Sequence, residues 1–287
     1  MAPRRVGDVG EPSVRPGLPE GLGVRERAPA GGWERYLGPV VVFVHGGLDR
    51  GGSFGRTALR LPDLALVTYD RRGYRSSRDL GAAPLPVHVE DVVAIAAAYA
   101  DPLPDAAGRG RRPVVAVGHS VGGTLVLWAG VTAPDHFAAL AAYEPSMPWL
   151  GFHPSPPGAG GAWGGPGPGA DPADEAERFF RRMVGDAAWE RLGDQERAAR
   201  QADGPALLAD LRGIRLPAPF DVTALAVPTV VASGGPASRP HHRETVAWLA
   251  EHVPSIESVE IADAGHGAHL SHPDAFAALV RRAVARV

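Results

Sequence analysis

The 287-residue sequence contains no cysteine. Disulfides, thiolate nucleophiles and cysteine-ligated metals are therefore excluded. Lysine is also absent, so all 29 basic residues are arginine. That removes a Schiff-base lysine, a pyridoxal-phosphate anchor and a P-loop. Asparagine is missing too. With 37 glycines and 29 prolines, the composition resembles the coding bias of a GC-rich genome, so arginine content carries little functional information. No window holds the roughly 18 apolar residues of a membrane span. Charge of one sign is not in excess: the net charge is −3 and the pI about 6.4. No basic face is implied for nucleic acid or an anionic membrane. Met1 to Asp8 carries two arginines but no apolar core behind them, so no secretory signal is expected. The expectation is a soluble cytoplasmic protein, monomer or homodimer, whose partner is a small-molecule substrate.

What is present is an alternation of strands and helices. Val40-Val-Val-Phe-Val44, Leu64 to Tyr69, Val114 to Val117, Ala138 to Tyr143, Val227 to Ala232 and Ser258 to Ala262 read as strands. Val87 to Ala100, Arg243 to His252 and Pro273 to about Arg286 read as helices. Such alternation predicts an α/β fold with a mostly parallel sheet flanked by helices on both sides. Val24 to Ala28 and Trp33 to Leu37 are expected to form a leading hairpin. From Pro148 the composition changes. Gly151 to Asp171 is almost entirely Gly, Pro and Ala around Trp163 and reads as a flexible loop. Pro172 to Leu211 reads as helices that interrupt the strand series. The expected division is a flexible segment over 1–23, a core over 24–147 and 223–287, and a helical cap with its Gly/Pro-rich loop over 148–222.

The densest signal is Val114-Val-Ala-Val-Gly-His-Ser-Val-Gly-Gly123. A buried-strand pattern ends in Gly118-His119-Ser120-Val121-Gly122, and a helix-compatible run follows. This matches Gly-x-Ser-x-Gly, the nucleophile elbow. Its turn strains the serine backbone, and neighbours without Cβ atoms let strand and helix approach closely.

A serine hydroxyl needs a base within hydrogen-bond reach. His266, in a Gly-flanked loop after the last predicted strand, is the best candidate. His266, His269 and His272 also form an H-x2-H-x2-H set. Steps of three drift around a helix and no carboxylate completes a plausible ligand set, so no metal is predicted. His119 reads as supporting the packing of the elbow. His45 reads as structural, and His241-His242 as a solvated turn.

Four motifs together resemble the α/β-hydrolase fold over about residues 24–287: His45-Gly46-Gly47, Asp70-x-Arg72-Gly73, Gly118-His-Ser-Val-Gly122 and Gly265-His266. The resemblance implies an oxyanion hole formed by the backbone N–H groups of Gly47 and Val121. It also implies an acid that orients the base. The family most often places that acid a few residues after the strand matching Pro228 to Ala232. Here the loop reads Ser233-Gly-Gly-Pro-Ala-Ser-Arg239 and has no carboxylate. Glu144, at the end of the strand after the elbow, is the first substitute. Asp263 is the second, and a site without a functional acid is the third. Asp221 lies at the wrong end of its strand.

The expected activity is that of a serine hydrolase, esterase-like, acting on a small ester, thioester or lactone, with Ser120, His266 and Glu144 as catalytic residues and no cofactor. Cofactor-free perhydrolysis or haloperoxidase chemistry, C–C bond hydrolysis, and a non-catalytic or cyclase-like member binding a small molecule remain alternatives. In the cap, Phe179, Phe180, Met183, Trp189 and Leu192 recur at helical spacing. They read first as packing and second as the lining of an acyl pocket. Arg181 and Arg182 read as solvent-facing.

Overall fold

The computed structural model describes residues 11–13, 15–34, 36–103, 110–153, 166, 169–214 and 217–287. Most of the Gly/Pro-rich loop, Trp163 included, lies outside them. The main sheet has eight strands: β1 (Glu11–Pro12), β2 (Gly23–Arg27), β3 (Val40–Val44), β4 (Ala65–Asp70), β5 (Val114–His119), β6 (Ala139–Tyr143), β7 (Thr229–Gly234) and β8 (Ile256–Ile261). Their spatial order is β1-β2-β4-β3-β5-β6-β7-β8. From β4 to β8 all pairs are parallel; β2 runs antiparallel to both β1 and β4.

Among the described residues the expected leading hairpin does not form. β2 instead extends the edge of β4, pairing Val24 with Tyr69 and Arg27 with Leu66. Along β4, a strand buried on both faces, β2 finds a fixed ladder of five backbone partners. Trp33 packs its ring 6.3 Å from Tyr99. Glu11–Pro12 pairs with β2 inside the segment expected to be loosely ordered.

The central strands are buried on both faces, which explains their continuous apolar runs. Val40, Val42 and Val44 face one core with α1 (Leu85–Tyr99) and α2 (Val121–Thr132). Val41 and Phe43 face the other, with Phe54 and Phe276 of α8 (Pro273–Val284). Phe43 and Phe54 stack at 4.8 Å.

Between β6 and β7 the chain forms α3 (Pro172–Val184), α4 (Asp186–Glu190), α5 (Asp194–Ala202) and α6 (Gly204–Gly213). Asp171 caps α3, its carboxylate accepting from the amides of Ala173 and Asp174, with Pro172 at the first helical position. α7 (Pro240–His252) joins β7 to β8. Among the described residues no helix is long and apolar enough to cross a membrane.

Candidate active site

The register of β5 brings the site together. Val44 pairs with Gly118 on one side, and His119 pairs with Tyr143 on the other. The ends of β3, β5 and β6 therefore lie side by side, with His45, Ser120 and Glu144 one step beyond them. Ser120 opens α2 with φ 56° and ψ −124°. For a residue with a Cβ that conformation costs roughly 1–3 kcal/mol. The Ser120 amide donates to the Tyr143 carbonyl at 2.9 Å. A Cβ on Gly118 would lie 2.2 Å from the Gly122 carbonyl oxygen, and one on Gly122 would lie 2.1 Å from that of Val44. The motif glycines are thus a steric requirement of this turn.

Two side chains from the strand ends hold the backbone that carries His266. The Tyr143 hydroxyl donates to the Gly265 carbonyl at 2.8 Å, and His119 Nε2 donates to the His266 carbonyl at 2.8 Å. His266 Nδ1 then donates to Glu144 Oε2 at 2.6 Å. Glu144 is fully buried, and its backbone has φ 45°. Its other oxygen, Oε1, accepts from the Gly234 amide at 2.9 Å and from the Ser238 hydroxyl. Burial pushes the Glu144 carboxyl up. His266, by hydrogen bond and charge, outweighs burial together with Ser238 and Gly234, holding the carboxyl below the usual range. The loop that lacks a carboxylate thus supplies donors to one.

Ser120 Oγ lies 3.2 Å from the hydroxyl of Ser146. Among the described residues that is its hydrogen bond; none joins it to His266. Such bonds often tighten only when substrate is bound. Ser146, Ser238 and Tyr143 carry no motif of their own in the sequence; their one signal is their place beside Glu144 and in the loop after β7.

The amides of Gly47 and Val121 have no hydrogen-bond partner among the described residues. Val121 is the first residue of α2, where an amide has no intrahelical acceptor. The Gly47 loop is held from below. His45 Nδ1 donates to the Gly46 carbonyl at 2.7 Å, and its Nε2 accepts from the Arg71 amide at 2.9 Å. Burial first, then the Arg71 charge, lowers the His45 pKa to about 4. The Arg71 guanidinium donates to the carbonyls of His45 and Gly46 and forms a fully buried two-point pair with Asp210 of α6. Tyr74 adds a hydroxyl bond to Asp210 at 2.6 Å. α6 is thereby tied to the glycine loop. A Cβ on Gly47 would meet Leu207 at 3.3 Å and the Phe179 ring at 3.8 Å.

Several other expectations change. His241 and His242 are not a solvated turn: both are buried in the first turn of α7, because Pro240 starts a helix there. The His242 ring stacks on His266 at 4.5 Å and 11°, and its Nε2 lies 3.7 Å from Glu144 Oε2. Nor does the histidine series lack a carboxylate. Asp49, distant in sequence, joins His119 and His269, and Glu144 joins His242 and His266. His272 stays outside both groups and pairs with Ser271. Asp221 caps a short turn through Thr223. Phe180 and Trp189 are buried against each other at 5.4 Å. Arg181 pairs with Glu177, Asp186 and Glu190.

A family model described as the alpha/beta hydrolase family matches residues 41–279. Lipase LipV of Mycobacterium tuberculosis is 35% identical over 117 residues, 40% of this chain and 41% of that protein's length. A hydrolase from Pseudomonas aeruginosa PA01 superposes with a TM-score of 0.65 at 18% identity, covering 91% of this chain and 93% of that one. The enol-lactonase from Burkholderia xenovorans LB400 does so with a TM-score of 0.63 at 17% identity, covering 93% and 98%. At those identities the superpositions speak for the fold. The sheet order, the strained serine turn and the family match converge on one conclusion: the chain belongs to the alpha/beta hydrolase family.

Proposed function

We propose that the chain is a serine hydrolase of small carboxylic esters, thioesters or lactones, working through an acyl-enzyme on Ser120. The observation that carries this reading is the 2.6 Å bond from His266 Nδ1 to the buried carboxylate of Glu144. That bond fixes the imidazole tautomer with Nε2 free to act as base. Ser120 Oγ attacks the carbonyl carbon, and His266 Nε2 takes its proton. Glu144 stabilises the imidazolium and stays ionised. The amides of Gly47 and Val121 receive the oxyanion, each worth roughly 3 kcal/mol in the transition state. His266 then returns the proton to the leaving alkoxide or thiolate, or to the ring oxygen of a lactone. Water, deprotonated by the same imidazole, cleaves the acyl-enzyme and regenerates the Ser120 hydroxyl.

In this reading, residues 148–222 act as a cap. Phe179 and Leu207 lie against Gly47, which favours a short apolar acyl group. The test is Ser120→Ala assayed on short p-nitrophenyl esters. A loss of at least about 10³-fold in kcat is expected, and undiminished turnover would sink the mechanism.

A further inference from the structure

We propose that Asp49, His119 and His269 form a binding site for a divalent metal ion, Zn2+ or a first-row transition ion of similar size, next to the nucleophile turn. One ligand atom from each lies within 4.8 Å of the others. His269 Nε2 is 3.3 Å from Asp49 Oδ2. Two ligands about 2.0–2.1 Å from one ion at a tetrahedral angle are separated by about 3.3–3.4 Å.

The hydrogen bonding around the cluster points the same way. His119 Nε2 donates to the His266 carbonyl, so the proton sits on Nε2 and the lone pair on Nδ1. That Nδ1 is buried and has no hydrogen-bond partner among the described residues. His269 Nδ1 has none either, while its Nε2 faces Asp49 Oδ2, and the residue is only 2% exposed. Leaving such buried groups unpaired is costly. The donor set of two imidazoles and one carboxylate suits a first-row divalent ion.

The supporting shell is already in place. The His266 carbonyl orients the His119 ring, and the Ser53 hydroxyl donates to Asp49 Oδ2 at 2.9 Å. The rings of Phe54 and Phe276 wall the His269 side at 5.1 and 5.9 Å. Three protein ligands leave a fourth position for water. An ion there would tie together the loop after β3, the serine turn and the segment after His266. The site stands whether or not the hydrolase reading does, because its test reads metal and not turnover.

The experiment uses the full chain, stripped with a chelator and dialysed. Zn2+ is titrated by calorimetry, with bound metal counted after equilibrium dialysis; Co2+ is then added as a spectroscopic probe. Expected are one Zn2+ per chain, a rise in Tm with Zn2+, and visible d–d bands of four-coordinate intensity. Loss of a ligand's hydrogen-bond partner alone costs about 10–100-fold in metal affinity. His269→Phe and Asp49→Asn should each weaken binding by at least about 100-fold. The phenylalanine joins an aromatic wall, and the asparagine is isosteric; a metal-free Tm near that of the parent checks that both variants fold. His242→Phe should leave the affinity unchanged. Absence of stoichiometric Zn2+ binding overturns the site. So does binding that survives both His269→Phe and Asp49→Asn, or that is lost with His242→Phe, since that places the ion at Glu144.

Discussion

Ser238 donates its hydroxyl to Oε1 of Glu144, across a sequence separation of 94 residues. Glu144 Oε1 also receives the Gly234 amide, which leaves Oε2 for His266. A hydrogen bond to a charged group is worth roughly 1.5–3 kcal/mol. Ser238→Ala is therefore expected to lower kcat on p-nitrophenyl esters by about tenfold with KM little changed, since Ser238 orients the acid rather than the substrate. Losing a donor to the ionised form also raises the carboxyl pKa. The acid limb of the kcat profile should change with it. A variant with parental kcat and profile would show that the Ser238 bond does not support the reaction.

Glu144 and Asp263 make opposite predictions. Glu144 Oε2 is 2.6 Å from the ring nitrogen of His266, whereas among the described residues Asp263 makes no bond to that ring. Glu144→Gln keeps the shape but allows the wrong imidazole tautomer, a change that costs about 10⁴-fold in kcat in a comparable triad. A drop of at least about 10³-fold is expected here. Asp263→Asn should stay within about twofold. If Asp263→Asn shows the larger loss, the acid has been assigned to the wrong residue.

The features legible in the sequence are those with a local physical cause. Val40–Val44 and Val114–His119 are buried on both faces, and such strands read as unbroken apolar runs. Gly118 and Gly122 could be read because their lack of a Cβ is required by contacts inside one turn. Glu144 is legible only through the resemblance, which implies an acid and makes the carboxylate-free loop after β7 a departure, and the sequence leaves Asp263 open beside it. What was not legible depends on partners far apart in the chain. Arg71 sits at the unspecified position of Asp70-x-Arg72-Gly73, and its partner Asp210 lies on α6. Asp49 reaches His119 and His269 only through the folded loop. His241 and His242 look like a polar turn until Pro240 is seen to start a helix.

The turn glycines give a stability prediction. A Cβ on Gly122 would lie 2.1 Å from the Val44 carbonyl oxygen, a backbone atom that cannot rotate away. Relieving that contact must separate α2 from β3. Gly122→Ala is expected to cost at least about 3 kcal/mol, read from the denaturant midpoint. Gly267 is the control, because nothing lies within 4 Å of its added Cβ. Gly267→Ala should change stability by less than about 1 kcal/mol. Equal midpoints for the two variants would contradict the close approach at the turn.

The buried imidazoles set the response to acid. Burial is the leading cause that lowers His45 and His241 to about 4 and His88 and His153 to about 3, against an ordinary 6.5. Below about pH 6.5 the unfolded chain takes up protons at these sites, while the folded chain does not until near their lowered values. Stability then rises with pH wherever the unfolded state binds more protons. The histidine contribution is complete above about pH 6.5 and is lost as pH falls towards 4. Glu144 acts in the same direction lower down, because a depressed carboxyl loses its contribution as pH falls below its ordinary 4.5. Tm should therefore fall by about 10 °C or more between pH 7 and pH 4.5. His45→Gln should make that slope shallower, since the titrating ring that accepts the Arg71 amide is gone. A Tm that stays flat over this range would mean that these rings are not held neutral by burial.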